Sequence, residues 1–332
     1  MTDRLLKAES ACAGLPATAG TPACPFLPRD IEKPKAPPLK CQGIKTRLTA
    51  FIARSIRWDG RGRWVEPFLG SGSVLFNLAP QRALIADSNI HIIQFYRAVQ
   101  SGVLGEGGVR AGLEAMGASL EREGRLYYDR VRAWFNRGAA EPVPGWAAAL
   151  RAGIPSEALR SLVFLFLNRC CFNGMMRFNS RGEFNVPFGH KPNRFSRAYV
   201  TRVVRQVAWS GRVMERRDWH FLAADWRETF SRVGARDFVY LDPPYIGRHT
   251  GYFGAWSAAE AEALAEAARR LPGGFAASMW MENIYRKNPH LESAWAGLSL
   301  RTFRHFYHVG ATEALRNPML EALLIKPGYL AG

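Results

Sequence analysis

Cysteine is scarce in this sequence, and its spacing fits neither a disulfide framework nor a zinc site. Five cysteines occur among 332 residues, an odd number, and no pair has CxxC spacing. Such usage is typical of a protein in a reducing compartment. Adjacent Cys170 and Cys171 are expected to be small core residues. We therefore expect a cytoplasmic protein that holds no metal.

Long apolar runs are also absent. The longest uninterrupted run of aliphatic and aromatic residues is Leu162–Leu167, whereas a membrane-spanning helix needs ~18 or more. The first residues lack the apolar stretch of a secretory signal, and no long basic amphipathic helix is visible. These absences exclude an integral membrane protein and argue against a membrane partner.

Acidic residues are outnumbered by basic ones. Lys and Arg total 45 against 28 Asp and Glu, which gives a formal charge of +17. Such an imbalance indicates a polyanionic partner, nucleic acid first and an anionic membrane surface second. The same count also fits a basic protein with a solvated surface, so charge alone does not decide the partner.

Two kinds of catalytic machinery are missing as well. No lysine stands at the P-loop position after the glycine-rich turn described below, so triphosphate chemistry is unsupported. The seven histidines are scattered, and no His or Cys stands at the spacing of a nucleophile–base pair. We therefore expect a chemistry that depends on positioning and hydrogen-bond acceptors.

The chain divides into three kinds of segment. Residues 1–36 are rich in Ala, Gly, Pro and Thr without a period, and we expect a flexible leader there. Residues 37–90 and 206–332 alternate strand and helix patterns, whereas residues 91–205 are mostly helical in pattern. The sequence thus predicts a discontinuous α/β domain interrupted by a helical insertion.

A glycine turn lies near the start of the α/β part. Strand Arg63–Val65 leads into Glu-Pro-Phe-Leu-Gly-Ser-Gly at residues 66–72, a helix follows, and the next strand, Ala83–Ala86, ends in Asp87. This order is the opening of a doubly wound nucleotide-binding sheet. The glycines let the backbone approach a ligand closely. They fall short of a full GxGxxG, so as a dinucleotide fingerprint they are weak.

The most informative stretch is Asp242, Pro243, Pro244 and Tyr245, which follows the buried strand Phe238–Leu241. Two consecutive prolines cannot continue a sheet, because neither has an N–H to donate. The carboxylate, the Pro243 carbonyl and the tyrosine ring are thereby clustered at the carboxyl end of a strand, where ligands bind in open α/β sheets. The cluster suits a flat ring with an exocyclic amine, although a strand-ending turn fits these four residues alone equally well.

A hairpin is predicted inside the helical insertion. An Asn-Ser-Arg-Gly turn at residues 179–182 lies between two apolar–aromatic arms within residues 175–189. The remaining predicted elements are a buried helix over Leu162–Leu167, a strand over Met214–Trp219, a helix from Ser257 to Arg270, a strand over Phe275–Trp280, and a terminal antiparallel pair, Phe303–Val309 with Glu321–Lys326.

These motifs together resemble the D12-class, or α-group, adenine-N6 DNA methyltransferases. The resemblance runs from about Pro37 to Lys326 and rests on residues 39–45, the glycine turn, Asp-Pro-Pro-Tyr and the long hairpin segment, which is its most discriminating part. It implies a Rossmann-like doubly wound methyltransferase sheet with an inserted, mostly helical DNA-recognition domain that carries a β-hairpin. The catalytic domain would comprise residues 37–90 and 206–332, and the recognition domain residues 91–205.

The resemblance implies methyl transfer from S-adenosylmethionine to N6 of an adenine that is flipped out of duplex DNA. Asp242 and the Pro243 carbonyl would accept hydrogen bonds from the amine, with Pro244 fixing the backbone and Tyr245 stacking on the base. The implied cofactor-binding residues are Lys40, Lys45, Glu66, Phe68, Gly70, Gly72, Asp87, Asp225 and Trp226. The implied DNA-binding residues are Arg177, Asn179, Arg181, Asn185 and Lys191.

The target site and biological setting are also implied by the resemblance. The C-terminal segment around residues 305–323 is similar to the branch whose members act on GATC, and one base contact is expected from Arg177 or Arg181. The same arginines also fit phosphate contacts. A bacterial or phage-infected cytoplasm is the expected setting. A cognate restriction endonuclease that acts on the same site, without direct binding, is a further expected partner.

The first motif departs from the family pattern, and two other functions stay open. Cys41 stands where the family commonly has Trp, and Ile44 where it has Gly, which predicts an altered loop because Ile rarely adopts positive φ. One alternative is an RNA base methyltransferase that shares the Asp-Pro-Pro-Tyr chemistry. The other is a DNA-binding regulator with a weakened cofactor site.

Overall fold

The computed structural model describes residues 27–28, 31–137, 146–245, 256–282, 288, 291, 293–306 and 318–332. Its strands are β1 (Trp64–Glu66), β2 (Arg82–Asp87), β3 (Asp218–Ala223), β4 (Phe238–Leu241), β5 (Gly274–Glu282), β6 (Ser299–Phe306) and β7 (Pro318–Ile325). Its α-helices are α1 (Thr49–Ser55), α2 (Ser73–Leu78), α3 (Ile90–Gln100), α4 (Glu106–Glu123), α5 (Arg125–Arg137), α6 (Trp146–Arg151), α7 (Leu159–Cys170), α8 (Arg197–Met214), α9 (Trp226–Phe230) and α10 (Ala258–Arg269). Short 3-10 turns lie at Thr46–Leu48, Ser156–Ala158, Phe172–Gly174 and Pro192–Phe195.

All seven described strands form one sheet in the order β3-β2-β1-β4-β5-β7-β6. The first five strands in that order are parallel, and β7 is antiparallel to both β5 and β6. In register, Val65 of β1 lies between Leu84 of β2 and Val239 of β4. The predicted α/β class with a mostly parallel sheet is therefore confirmed, and the sheet is consistent with a methyltransferase fold.

Both faces of the sheet are buried, as its parallel strands require. Trp64 and Tyr240 point into one apolar cluster, whereas their neighbours Val65 and Val239 point into the other. This alternation follows from the two-residue period of side chains along a strand. Helix α10 covers the second face with Ala265 and Ala268, while the helices from α1 to α8 cover the first.

Helices α3 to α8 all lie between β2 and β3 in the chain. Their apolar side chains, such as Phe164 of α7 and Val203 of α8, belong to the same cluster as Trp64 of the sheet. The insertion therefore shares a continuous core with one sheet face. The division of the chain into separate catalytic and recognition domains stays a prediction.

Most predicted elements are confirmed, but the strand over Met214–Trp219 is wrong. Met214 belongs to helix α8, because Val203, Val207 and Met214 repeat at helical spacing on its buried face. It is the last residue of that helix. The chain then turns at Arg216, whose φ is +62°, and β3 begins only at Asp218. The predicted helix starting at Ser257 is present, and the Ser257 side chain accepts from Glu260 N at 3.1 Å.

Two predicted segments lie partly outside the described residues. The terminal antiparallel pair is present as β6 and β7, but residues 307–309 of its first arm are not described. Most of the leader, residues 1–36, is likewise outside the description. Within the described ranges, no helix is long and apolar enough to cross a membrane.

Candidate active site

The candidate site lies where the strand order changes direction. From β1 the chain runs outward through β2 to β3, and then returns to place β4 on the other side of β1. Such a switch point leaves a crevice at the carboxyl ends of the two central strands. Glu66 is the last residue of β1 and Asp242 directly follows β4, so both carboxylates lie at this edge.

Asp242 is held by two partners from distant parts of the chain. Lys45 Nζ lies 2.9 Å from Asp242 Oδ1, and Ser278 Oγ donates to the same oxygen at 3.1 Å. Ser278, on β5, also lies 2.8 Å from the hydroxyl of Tyr240. Burial raises the pKa of the Asp242 carboxyl, and the charge of Lys45 opposes that rise. Asp242 is thus an oriented acceptor, and its side chain is 24% exposed.

Tyr245 and its neighbours form the second half of this cluster. Pro243 and Pro244 follow β4 without regular structure, as expected for residues that cannot donate to a sheet. The Lys45 amine lies 4.9 Å from the centroid of the Tyr245 ring. At its far end, the Tyr245 hydroxyl donates to Glu321 Oε2 at 2.9 Å. The Asp242 carboxylate and the Tyr245 ring therefore contact one and the same amine.

The sequence alone does not indicate Ser278 or Glu321. Ser278 lies on β5. Glu321 lies on β7, 76 residues along the chain from Tyr245. The signal that could have found Glu321 is an acid inside the apolar run Leu320 to Ile325. A carboxylate in a strand buried by neighbours on both sides needs a partner, since a lone buried charge is costly.

Glu66 is a deeply buried acid at this edge. Its exposed fraction is 2%, and its Oε1 accepts a 2.7 Å hydrogen bond from the Trp64 indole. Burial raises the pKa of Glu66 to about 8; the indole hydrogen bond opposes this, and the nearby Asp242 charge adds to it. Near neutral pH Glu66 is therefore mainly protonated.

The glycine turn is tied to the end of β2 by Asp87. Gly70 and Gly72 have φ of +53° and +73°, in the left-handed region that favours glycine. Gly70 N donates to Asp87 Oδ2 at 2.9 Å, and Asn89 N donates to Oδ1 at 2.8 Å. Burial raises the pKa of Asp87 to about 6, against these two hydrogen bonds. Phe68 lies two residues before Gly70, and its ring is edge-to-face with the Trp256 ring at a centroid distance of 5.6 Å.

The first motif forms the loop that delivers Lys45. Its left-handed residue is Gly43, with φ of +72°, whereas Ile44 has no positive φ. Lys45 Nζ also donates to the Gly43 carbonyl at 3.0 Å, which closes the loop on itself. The glycine that this loop requires is therefore the one that the chain has. Cys41 lies against the glycine turn, since a Cβ on Gly70 would be 3.5 Å from its sulfur.

Lys40 lies apart from the Asp242 cluster. Its backbone N and O pair with the Asn168 side chain at 2.8 and 2.9 Å. Its methylenes pack so closely on Gly174 that a Cβ there would come within 2.5 Å of Lys40 Cδ. Burial lowers the pKa of the Lys40 amine. Its proposed contact with the cofactor stays a prediction.

Asp225 and Trp226 lie at the start of α9, beyond β3. The Asp225 side chain accepts from Arg227 N at 2.8 Å and so caps the helix. Trp226 is buried, with the Arg227 guanidinium 4.3 Å from its ring centroid. Asp225 and Trp226 follow the carboxyl end of β3, and Asp87 ends the neighbouring parallel strand β2. Both therefore lie at the same edge of the sheet, which is compatible with the predicted contact between this pair and the cofactor adenine.

The predicted hairpin segment contains two isolated antiparallel bridges, Phe178 with Phe184 and Cys171 with Phe188. Asn179 N donates to the Glu183 carbonyl at 2.9 Å, and Gly182, with φ of +73°, lies in the turn between them. The backbone thus reverses direction where the sequence predicts a turn, without continuous strands. A DNA-reading role for the segment stays a prediction.

The two arginines of this segment have different surroundings. Arg177 is tied across the turn, with Nε and Nη2 donating to the side chain and carbonyl of Asn185 at 2.8 and 2.9 Å. The Arg181 side chain is 79% exposed at the tip and pairs with Glu183 at 3.1 Å. Lys191 is exposed as well. Arg181 is therefore the arginine that can reach outward.

A basic groove, which we call the α8 groove, runs along helix α8. Lys35 lies across it, with its amine 5.8 Å from the Trp209 ring centroid. Helix α8 contains no acidic residue. The groove is lined by Lys35, Ala36, Arg197, Ala198, Thr201, Arg202, Arg205, Gln206, Trp209 and Arg212. The sequence shows the excess charge but not its concentration on this surface.

Among the described residues, no cluster of His, Cys, Asp or Glu could hold a metal ion. The geometry thus consists of an oriented carboxylate, an aromatic face and a glycine turn beside two further acids. A model of the D12 class N6 adenine-specific DNA methyltransferase family matches residues 42–313.

The chain belongs to this family. The matched range includes Lys45, the glycine turn and Asp242, which lie at or beside the switch point of the sheet. Membership confirms the resemblance seen in the sequence and makes the protein an adenine-specific DNA methyltransferase. It also favours DNA over the RNA alternative.

Named relatives agree with this assignment. The DNA adenine methylase of Haemophilus influenzae is 31% identical over 248 residues, 72% of this chain and 77% of that protein. The DNA adenine methylase of Vibrio cholerae is 27% identical over 300 residues, 88% of this chain and 96% of that protein. The type II methyltransferase M.MjaIII of Methanocaldococcus jannaschii is 29% identical over 220 residues, 63% of this chain and 68% of that protein.

Proposed function

We propose that this methyltransferase transfers a methyl group from S-adenosylmethionine to N6 of an adenine flipped out of duplex DNA. One observation carries the proposal: the Lys45 amine lies 2.9 Å from Asp242 and 4.9 Å from the Tyr245 ring centroid. A stacked base with an exocyclic amine needs this same pair of contacts. For the base to enter, Lys45 has to yield its place on Asp242.

Asp242 is proposed to orient the amine and then accept its proton. By accepting an N–H bond together with the Pro243 carbonyl, it would aim the nitrogen lone pair at the methyl donor. A nitrogen that gains a methyl group must lose a proton, and a carboxylate with a raised pKa is a suitable acceptor. The main contribution to the rate is orientation, and no covalent enzyme intermediate is required.

The residues around the glycine turn fit S-adenosylmethionine. A turn with two left-handed glycines lets the backbone approach a ligand, and a Cβ on Gly72 would lie 2.8 Å from the Phe76 ring. Glu66 offers a buried carboxylate for a ligand ammonium group, and Asp87 a partly exposed one for ribose hydroxyls. When bound, the cofactor supplies an electrophilic methyl group on a sulfonium.

Labelled methyl transfer tests the proposal directly. Purified protein is incubated with tritiated S-adenosylmethionine and matched duplex DNA, single-stranded DNA or RNA. We expect label in duplex DNA and at most weak label in RNA. Preferential labelling of RNA would support the RNA alternative, and DNA binding without any label would support the regulator alternative.

We propose GATC as the target site, on the similarity of the C-terminal segment around residues 305–323. We propose Arg181 as a base reader, because Arg181 is exposed at the turn while Arg177 is tied to Asn185. Arg181→Ala should lower discrimination between GATC and one-base variants by about tenfold, since a bidentate arginine–guanine contact contributes ~1–3 kcal/mol. The measurement is kcat/KM on each duplex.

Arg177→Lys provides the comparison for this prediction. It removes the bonds to Asn185 and should lower activity on all duplexes together, because it loosens the turn rather than the base contact. Unchanged discrimination in Arg181→Ala would show that Arg181 does not read the site.

The α8 groove is proposed to contact DNA phosphates beside the target site. Helix α8 has 18 residues, so it is ~27 Å long, about eight base pairs of duplex. Arg202→Ala with Arg205→Ala should reduce the salt dependence of DNA affinity by about two phosphate contacts, measured as the slope of log K against log salt.

Arg232→Ala with Arg270→Ala is the matched control for the groove. Both arginines are exposed and pair with an acid four residues earlier, so the double change removes the same charge elsewhere. An equal change of slope in both double variants would mean that the groove has no special part in binding DNA.

We further propose that the enzyme acts in the cytoplasm of a bacterial or phage-infected cell. The relatives include bacterial proteins and one from Escherichia phage P1. A cognate restriction endonuclease stays a prediction, to which the type II name of the Methanocaldococcus relative lends support.

A further inference from the structure

We propose that Glu321 is a positioning residue for methyl transfer, which fixes the ring of Tyr245 and adds a negative charge beside Asp242. The proposal rests on the function proposed above. It concerns a residue in the antiparallel part of the sheet, outside the glycine turn and the Asp-Pro-Pro-Tyr segment. Its role would be exerted through Tyr245 and Asp242, without contact to the base.

The position of Glu321 makes it a rigid anchor. Strand β7 lies between β5 and β6, and Glu321 is paired in register with Trp280 on one side and Phe303 on the other. Its exposed fraction is 1%. A buried carboxylate flanked on both sides by paired strands has little freedom to move, so a group bonded to it is fixed in turn.

Tyr245 needs such an anchor because its backbone has no regular structure. It stands three residues beyond Asp242 in the segment that leaves β4. The 2.9 Å bond from its hydroxyl to Glu321 Oε2 fixes the far end of the side chain, so that the ring is held at both ends. A ring held in this way presents a fixed face to a stacked base, and hydrogen bonds to charged groups contribute ~1.5–3 kcal/mol.

The charge of Glu321 also acts on Asp242. The groups that face Asp242 are Lys45, Ser278, Glu321, Tyr240 and Glu66. Lys45 and the Ser278 hydrogen bond lower the pKa of Asp242, whereas the Glu321 charge raises it. Neutralising Glu321 should therefore lower the pKa of Asp242, so that Asp242 stays ionised down to a lower pH.

A double-mutant cycle tests the anchor. Tyr245→Phe removes the donor of the bond, and Glu321→Met removes its acceptor at similar side-chain length. Each change should lower the single-turnover rate by about tenfold. The double variant should lose about tenfold as well, because both changes break one bond. A hundredfold loss in the double variant, or no loss in either single variant, would overturn the proposal.

The pH profile tests the charge with a readout that a merely structural role would not move. Glu321→Gln keeps an acceptor for Tyr245 and removes the charge, so the acid limb of the single-turnover rate should move to lower pH. Glu262→Gln, an exposed acid on α10, should leave the limb in place. An acid limb that stays fixed in Glu321→Gln would overturn the electrostatic part.

The outcomes separate this proposal from the proposed function. If the unchanged protein methylates DNA but the two losses multiply, only the role of Glu321 fails. If the unchanged protein transfers no methyl group to DNA, the proposed function itself fails. Thermal unfolding of every variant, with and without S-adenosylmethionine, shows whether the sheet and the glycine turn remain intact.

Discussion

Asp242→Ala should lower the single-turnover rate of methyl transfer by about a thousandfold, while DNA affinity stays within about threefold of the original. The rate falls because Asp242 is the carboxylate at the carboxyl end of β4 that can hold the amine, and Lys45 shows that contact at 2.9 Å. Affinity persists because phosphate contacts supply most of it. Rapid-quench transfer assays and fluorescence anisotropy with the same duplex measure the two quantities.

Two controls accompany the Asp242 variant. Asp218→Asn changes an exposed acid at the opposite end of the sheet, where β3 begins, and should leave the rate unchanged. Ser278→Ala removes one hydrogen bond to Asp242 and should cost about tenfold or less. An Asp242→Ala protein with near-original rate would contradict the mechanism, whatever its DNA affinity.

Cofactor affinity should rise steeply as the pH rises toward about 8. The pKa of Glu66 is raised by burial to about 8 from an ordinary value of 4.5. If the ionised carboxylate receives the ammonium group of S-adenosylmethionine, binding must first release a proton, and affinity rises by about tenfold per pH unit in this range. Calorimetry at pH 6.5 to 8.5, in two buffers of different ionisation enthalpy, measures both affinity and proton release.

The same shift has a stability consequence of known sign. Between pH 4.5 and about 8 the folded protein holds a proton on Glu66 that the unfolded chain has lost. The unfolding free energy contributed by this group therefore falls as pH rises through that window. Asp87, with a pKa of about 6, adds a smaller loss of the same sign between its ordinary value and pH 6.

Glu66→Gln is the variant that isolates this group. It should bind S-adenosylmethionine weakly at every pH, release no proton on binding, and unfold at a higher temperature than the original protein at pH 8. Cofactor binding that keeps its pH dependence in Glu66→Gln would assign the proton to another residue.

Much of the sheet could be predicted from local pattern. Strand Phe238–Leu241 and the glycine turn carry apolar runs and turn residues whose meaning is local, and both appear where the sequence predicts them. The strand predicted at Met214 failed for a physical reason. Met214 is the last residue of the buried face of α8, so it belongs to the helical pattern, and the charged residues 215–218 separate it from Trp219 of β3.

The candidate site was less predictable, because its partners come from distant segments. Asp242 could be singled out from the two prolines that follow it, but nothing local pairs it with Ser278, and only the packing of β7 beside β5 brings Glu321 to Tyr245. The sequence motif also did not show which residue of the Lys45 loop adopts positive φ, and so it did not show whether Ile44 disturbs the loop. Backbone angles show that Gly43 supplies the left-handed residue.

The most direct test of the account is to measure methylated nucleosides by mass spectrometry after the protein acts on duplex DNA that lacks adenine methylation. With S-adenosylmethionine present, the account predicts N6-methyladenine within GATC, and none when Asp242→Ala replaces the original protein. Methylation confined to cytosine, or N6-methyladenine formed equally well by Asp242→Ala, would contradict it.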